Sequence, residues 1–368
     1  RLPGSIVMAI RDHHEPLEER PDATYVLNPK LDDAQFGADS LAGVGVAFKL
    51  AWAMGQQPGA GDKVPDYFKD FLMQGLSLVA VGTVADIVPL IGENRVLVSY
   101  GLRSLPHCDM CGLDALREAC GRLDDDISSF DIGFKLAPRL NASGRVGHAS
   151  AGVELLTTSD PERAEELAEK LDKQNRRRRK MQRKTAAEAE EMVHDQVDLD
   201  SSPCIVVGRE GWHQGVVGLA ASRLAETFWR PAVVLALENG TATGSGRSVP
   251  GVHMFQLLHQ CRDLLERFGG HEGAGGLTLS ADNVEEFTRR LNEAAHEMLD
   301  GEPPVPHLEI ELEAPLSFFT PTLIHEINSL SPFGEANLRP LFSSGGRALA
   351  GRPKRVGSHR NHLSFLVR

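Results

Sequence analysis

What this chain lacks narrows its class before any motif is read. It has five cysteines, an odd number that builds no disulfide framework, so a reducing, cytoplasmic setting is expected. Cys108 and Cys111 form one C-x-x-C pair. No second pair stands at ligand spacing, so structural cysteines are expected there rather than zinc. No long hydrophobic run is uninterrupted: Phe71 to Gly92 is broken by Gln74, Ser77, Thr83, Asp86 and Pro89. It reads as buried core and not as a membrane span, and no membrane is expected as a partner. Arg1 to Ile10 holds no initiator Met and too short an apolar stretch for a signal peptide, as in a chain cut from a longer one. A basic balance is missing too, since the formal net charge is −12. That counts against broad nucleic-acid binding, because neutralising phosphates takes Lys and Arg. A local basic channel is nevertheless enough to hold a short single strand, and an acidic remainder limits nonspecific sticking.

What is present describes a folded chain of several parts. At 368 residues and roughly 100–200 residues per domain, two or three domains are expected. Ser5 to Ile10 reads as a buried strand leading into Arg11-Asp12-His13-His14, and open α/β sheets place ligands at the carboxyl ends of strands. Helical spacing of Leu41, Val44, Ala47, Phe48, Ala51 and Met54 predicts a helix with Ser40 as N-cap. A second buried segment, Leu78 to Ala85, ends at Asp86. After an acidic turn at Asp124 to Asp126, Ser159-Asp160-Pro161-Glu162 signals a long helix running to about Met192. Its charge, with i,i+4 pairs Glu166–Lys170 and Glu169–Lys173 and a basic run Arg176 to Lys180, leaves little apolar surface and suggests a connector. Beyond it, strands at Ile205 to Gly208, Ala232 to Leu237 and Thr241 to Ser245 alternate with helices at Gly215 to Phe228 and His253 to Phe268. From Glu302 the chain turns Pro-rich, then shows short alternating runs such as His307 to Leu312, as in a small β-domain cut short at Arg368.

Four clusters bear chemistry. Asp12-His13-His14 combines imidazole and carboxylate, a donor set for borderline divalent metals. The alternative is an exposed loop holding two histidines. Asp86 ends an apolar run, and a buried lone carboxylate calls for coordination or hydrogen bonding; an N-cap or turn role before Pro89 is the alternative. Gly244-Ser245-Gly246-Arg247-Ser248 has the makeup of a phosphate cradle, or of an ordinary Gly-Ser turn. Gly269 to Gly276 carries more glycine than a helix C-cap needs and reads as a loop approaching a substrate. The run Arg176 to Lys180 either tracks a phosphate backbone or forms a solvated face.

Taken in order, these segments resemble the RecJ family of DHH–DHHA1 phosphoesterases, single-strand-specific 5′ to 3′ exonucleases, over essentially the whole chain. The resemblance rests on Asp12-His13-His14 with Asn28-Pro29-Lys30 and Leu41 to Phe48, and on Gly82-Thr83-Val84-Ala85-Asp86. It continues through Ala137 to Arg145, Leu171 to Arg176, Gly211 to Gly218, Gly244 to Ser248, Gly269-Gly270-His271 and Ser331 to Asn337. It implies an α/β fold: an incomplete DHH-type parallel-sheet domain over 1–158, a connector helix over 159–197, a smaller α/β DHHA1 domain over 198–300 and a partial OB-type β-domain over 302–368. It also implies a two-metal site of Mn2+ or Mg2+ with His13 and Asp86 as ligands, His14 beside the scissile phosphate and Asp12 orienting the neighbouring imidazole. Asn141, Arg145, Ser245, Arg247, Gly269, Gly270 and His271 would contact the strand, with Arg145, Ser245 and Arg247 on its 5′-phosphate end. Single-stranded DNA is the implied partner, alongside a helicase and a single-strand-binding protein. Family members carry two earlier aspartate motifs, so a chain starting at Arg1 is expected to hold metal poorly. The competing readings are another DHH phosphoesterase acting on short oligonucleotides or cyclic dinucleotides, and a non-catalytic strand-binding relative.

Overall fold

The computed structural model describes residues 9–14, 21–31, 40–56, 63–121, 126–302, 304–346, 348–357, 360 and 362–367. Most of the expected strand Ser5 to Ile10, and the acidic turn up to Asp125, lie outside them. Two compact units are present: Arg1–Asp109 with Leu123–Lys135 and Leu308–Arg368, and Met110–Arg122 with Leu136–His307.

In the first unit, β1 (Ala9–Arg11) pairs in parallel with β2 (Tyr25–Leu27), placing Ile10 opposite Val26. Helix α1 (Gly43–Gly55) begins at Ala42 with no side-chain cap. Ser40 therefore does not cap it, contrary to expectation; its carbonyl instead accepts from Asn94 Nδ2 at 2.7 Å. The expected buried segment Leu78 to Ala85 is the last part of α2 (Asp66–Ala85), which packs on α1 and on α3 (Gly92–Ser104). Leu41, Val46, Leu76, Val79 and Leu97 form the core between these helices. By length and composition α2 meets the criterion for a membrane-crossing helix. Its buried face carries Leu72, Leu76, Val79, Ala80 and Val81, while Phe71 and Met73 are exposed, so the reading as core holds for one face.

The chain's last segment joins this unit through its turn Ser331 to Asn337. Leu90 N–H donates to the Glu335 carbonyl at 2.7 Å, Arg95 Nη2 to the Leu330 carbonyl at 2.7 Å and Ser129 Oγ to the Phe333 carbonyl at 2.6 Å. Asn337 Nδ2 closes the turn onto the Pro332 carbonyl at 2.8 Å. The strand expected over His307 to Leu312 is confined to Leu312–Glu313, paired in parallel with Phe342–Ser343; Lys354–Val356 pairs antiparallel with His362–Ser364.

The second unit is built on one long helix and one sheet. Helices α4 (Cys111–Ala119), α5 (Ala137–Val146) and α6 (Ser150–Thr157) pack on α7 (Pro161–Gln196). Strands β3 (Ile205–Glu210), β4 (Ala232–Glu238), β5 (Thr241–Arg247), β6 (Leu265–Gly270) and β7 (Ala274–Ser280) form a sheet in the order β3-β4-β5-β7-β6. Only β3 and β4 run parallel. The strands are interleaved with α8 (Gln214–Phe228), α9 (Met254–Gln260) and α10 (Val284–Met298), and α8 packs on α7, β4 and β5.

Helix α7 departs from its expected character. Asp160, not Ser159, caps it, accepting from the N–H groups of Glu162 and Arg163. It is not polar all round: Ala164, Leu167, Ala168, Leu171, Ala189 and Val193 are buried at helical spacing. The expected pairs Glu166–Lys170 and Glu169–Lys173 do not form. Arg163 Nη1 takes Glu166 at 2.9 Å, and the buried Asp172 pairs with Arg139 at 2.9 Å and Arg176 at 2.6 Å. A charged surface pattern hid an apolar stripe at three- and four-residue spacing, because Ala contributes little to hydropathy.

Two further expectations are corrected. The helix foreseen from His253 to Phe268 ends at Gln260, because Leu265 to Gly270 leave as a strand against β7, with Gly269 facing Gly276 and Gly270 facing Gly275. Apolar residues at 257, 258, 264, 265 and 268 suit either period. The Gly-rich stretch is thus a β6–β7 hairpin with His271 to Gly273 at its tip, and Gly244 to Arg247 is strand β5 rather than a turn.

Candidate metal and phosphate sites

In the first unit the motif Asp12-His13-His14 follows β1 directly. Asp12 N–H donates to the Leu27 carbonyl at 2.9 Å, continuing the β1–β2 pairing by one residue. Asp12 Oδ1 accepts from the backbone N–H of His13 at 2.8 Å and of His14 at 3.3 Å, and holds His14 Nδ1 at 2.7 Å. The His14 hydrogen bond, outweighing partial desolvation, holds the Asp12 carboxyl down at about 2. With Nδ1 engaged as donor, His14 turns Nε2 outward as the free atom. Asn28, 4% exposed, donates from Nδ2 to the His14 carbonyl at 2.9 Å and accepts the Lys30 N–H at 2.9 Å. This is a preformed loop, not two histidines left to solvent.

Asp86 is the C-cap of α2, its N–H bonded to the Gly82 carbonyl at 3.0 Å. Its side chain is 44% exposed, not buried as expected, and its place in the fold is what disfavours the lone charge. A helix C-terminus presents partial negative charge, so a carboxylate there is disfavoured until a cation answers it. The next residue, Ile87, has φ +56°, a conformation unfavourable for a β-branched side chain and most often kept where a site demands it. Asp86 Oδ2 lies 3.5 Å from His13 Nε2, and the His13 and His14 rings are 4.3 Å apart.

That donor pair suits a divalent ion of borderline character, the separation letting both atoms face one centre at bonds of about 2.1 Å. Among the described residues no group of three or more His, Cys, Asp or Glu converges, so the pair supplies part of a coordination sphere. Cys108 and Cys111 do other work, donating to the carbonyls of Leu105 at 3.4 Å and Thr158 at 3.2 Å respectively.

The second unit brings together Arg145, Ser245 and Arg247. Arg145 lies in the last turn of α5, which is helical through Asn141 to Arg145. Asn141 lies one turn earlier on the same exposed face. On β5, Arg247 Nη1 donates to Ser245 Oγ at 2.7 Å and to the Gly246 carbonyl at 2.7 Å. The N-terminus of α8, capped by His213 Nδ1 accepting from Gly215 N–H at 3.0 Å, closes the group. A Cβ at Gly215 would overlap the Arg145 carbonyl, and one at Gly218 would lie 3.0 Å from Arg247 Nη2 and 3.1 Å from Ser245 Oγ. Glycine at both positions is what lets helix and strand meet so closely. Burial first, then the Arg145 charge, lowers the Arg247 pKa. Cations crowded at a helix N-terminus call for an anion.

His271 sits exposed at the hairpin tip, with Nδ1 accepting the Gly273 N–H at 3.2 Å, so that Nε2–H points outward. Gly269 and Gly270 lie in β6 beneath it. Two contributors went unforeseen. Asn28 was noted only within a motif, and Arg178 was one of a charged run; the spacing of buried Leu171 and Asn175 on α7 is the signal that turns Arg178 inward.

Comparison with known proteins places the chain in a family. Residues 201–297 match the DHHA1 domain and residues 310–368 the RecJ OB domain. The chain is 41% identical over 361 residues to the single-stranded-DNA-specific exonuclease RecJ of Bacillus subtilis, covering 98% of this chain and 44% of that protein. Against the Escherichia coli protein of the same name, identity is 36%, covering 98% of this chain and 64% of the relative. The crystal structure of RecJ in complex with Mn2+ from Thermus thermophilus superimposes with a TM-score of 0.82 at 31% identity, over 100% of this chain and 52% of that one. A crystal structure of exonuclease RecJ bound to manganese matches at 32% identity with a TM-score of 0.64, over 78% of this chain and 69% of the other. The chain belongs to the RecJ family. It spans about half the length of the curated relatives it matches, from 44% to 64%. RecJ membership accounts for the mixed α/β architecture and for the DHHA1 and OB segments. RecJ from Thermus thermophilus has been solved with Mn2+ and with Mg2+, consistent with divalent-metal dependence.

Proposed function

We propose that the protein containing this chain is a divalent-metal-dependent 5′ to 3′ exonuclease that hydrolyses single-stranded DNA to mononucleotides in repair and recombination. The observation that carries this reading is the meeting of His13 and Asp86, from a strand end and a helix end, at 3.5 Å. They would hold manganese or magnesium as part of a two-ion centre, with further ligands beyond these two. When bound, such ions lower the pKa of a water and offset charge on the attacked phosphate.

The chain's own residues do the rest. Asp12 fixes the His14 ring so that Nε2 faces the scissile phosphate, and Asn28 fixes the His14 backbone. Arg145, Ser245 and Arg247 bind the 5′-terminal phosphate through charge-assisted hydrogen bonds. His271 touches the strand near the cleavage point, with Gly269 and Gly270 clearing its path and Asn141 alongside Arg145. A site that grips a free terminus makes an exonuclease. The odd count of five cysteines supports a cytoplasmic setting, and a helicase and single-strand-binding protein would deliver the strand.

The test is manganese-dependent degradation of a 5′-labelled single strand by the complete gene product, against a matched duplex and a cyclic dinucleotide. Mononucleotides released from the single strand alone are expected. Cleavage of the cyclic dinucleotide only would move the protein to another phosphoesterase branch, and tight strand binding without cleavage would make it a non-catalytic relative.

A further inference from the structure

Arg178 belongs to the basic run of α7, yet it differs from its neighbours. Arg176, Arg177, Arg179 and Lys180 are exposed, whereas Arg178 is partly buried. Its Nη2 donates to the buried Asn175 Oδ1 at 2.9 Å, and its Nε is fully buried without an acceptor. A buried donor left unmade is costly unless a ligand completes it. Arg145 is the common neighbour: burial first, then the Arg145 charge, lowers the pKa of both Arg178 and Arg247. Helix α5, which carries Arg145, packs on both α7 and α8: the Arg145 carbonyl lies against Gly215 in the first turn of α8, and Gln174, one turn before Arg178 on α7, lies against Gly147 just past Arg145, where a Cβ would stand 2.8 Å from Gln174 Nε2. Among the described residues no carboxylate forms an ion pair with any of the three arginines.

Three cations and a helix N-terminus exceed what one internal phosphodiester, with a single negative charge, can neutralise. A terminal phosphomonoester carries about −1.5 to −2 at pH 7 and three acceptor oxygens. We infer that Arg178 is a binding residue of this pocket and sets its preference for a dianionic terminal phosphate over a monoanionic phosphodiester. The inference rests on the reading that Arg145, Ser245 and Arg247 take the strand's end. Arg178 contributes the third charge, and its unmatched Nε is a donor that a phosphate oxygen would satisfy.

The test uses this chain with oligo-dT bearing a 5′-phosphate, a 5′-methylphosphate or a 5′-hydroxyl, measuring affinity at fixed salt. The methylphosphate keeps the geometry and removes one charge. Wild type is expected to bind the phosphate end about tenfold tighter than the methylphosphate end. Arg178→Gln should erase that ratio while leaving methylphosphate over hydroxyl largely intact, and Arg178→Lys should restore part of it as a point charge. A ratio unchanged in Arg178→Gln, with both preferences lost in Arg247→Ala, would overturn the role of Arg178 and leave the phosphate pocket standing. No preference among the three ends in wild type would overturn the pocket reading as well. Equal loss on all three ends in both Arg178 variants would make Arg178 a structural residue and also overturn the inference. The thermal midpoint without oligonucleotide identifies a variant that fails to fold, and the Arg178→Lys ratio then decides.

Discussion

The two candidate sites are held in different ways. The phosphate pocket of the second unit is shaped by packing: α8 lies against β5 through Gly218, against α5 through Gly215, and on α7. Arg247 is fixed there by its bonds to Ser245 Oγ and the Gly246 carbonyl. The His13–Asp86 pair of the first unit is held by local hydrogen bonds at a strand end and by a helix C-terminus that repels its own carboxylate. The difference is between an anion site where like charges crowd against packed elements and a cation site whose carboxylate stays partly exposed.

The largest effect should come from breaking the cation site. Asp86→Ala is expected to lower manganese-dependent hydrolysis by the complete protein by well over 100-fold, beyond the ~10–100-fold typical of losing a residue that merely supports a ligand. Strand affinity should stay within a few fold, because the phosphate pocket lies in the other unit. Metal-dependent activity surviving in the variant, read by release of labelled mononucleotide, would remove Asp86 from the centre.

The opposite break is made at Gly218. In Gly218→Ala the new Cβ stands 3.0 Å from Arg247 Nη2, so the guanidinium tip must shift while the backbone stays. Preference for a 5′-phosphorylated over a 5′-hydroxyl end should fall about tenfold, as for the loss of one charge-assisted bond, with little change in affinity for the hydroxyl end. Matching losses on both ends in an equilibrium binding assay would mean that the glycine serves packing alone.

A third change separates scaffold from site. Asp160→Ala removes the cap of α7 and should cost about 1 kcal/mol in denaturant unfolding. If the pocket is preorganised by packing rather than by helix ends, its end preference should not move. A changed preference would show that α7 positions Arg178 through its whole length.

How much of this could be read beforehand follows from the kind of signal each element carries. Strands β3 and β4 announced themselves, because a run such as Ala232 to Leu237 is apolar on both faces. Helix α8 was legible from Gly215 to Phe228, but not its cap, since His is an unusual N-cap. Ser40 and Ser159 both sat where a cap belongs, and neither caps. The choice depended on which residue the chain could turn at, a tertiary matter. The candidate pair was visible because Asp12-His13-His14 is dense in donor atoms and Asp86 is a lone carboxylate in an apolar run, whereas the 3.5 Å approach of His13 and Asp86 is a long-range fact. Arg178 was the harder case: five consecutive basic residues look alike until a buried Asn175 assigns them faces.

The smallest effect concerns Asp12, and it sharpens the contrast through pH. Its folded-state value of about 2 lies below the usual ~3.9 of an aspartate, so ionised Asp12 stabilises the fold. That contribution is complete above about pH 4 and is lost as pH falls through about 2, when the carboxyl protonates and releases His14. In metal-free solution the difference in stability between wild type and Asp12→Asn should therefore be constant above ~pH 4 and vanish near 2. A carbon-13 titration of the Asp12 carboxyl gives the cause directly. Because the His14 side chain is the largest lowering influence, His14→Ala should return the midpoint toward the ordinary range. A midpoint that stays near 2 in that variant would assign the depression to the two backbone N–H donors instead, and the loop would then be rigid without its histidine.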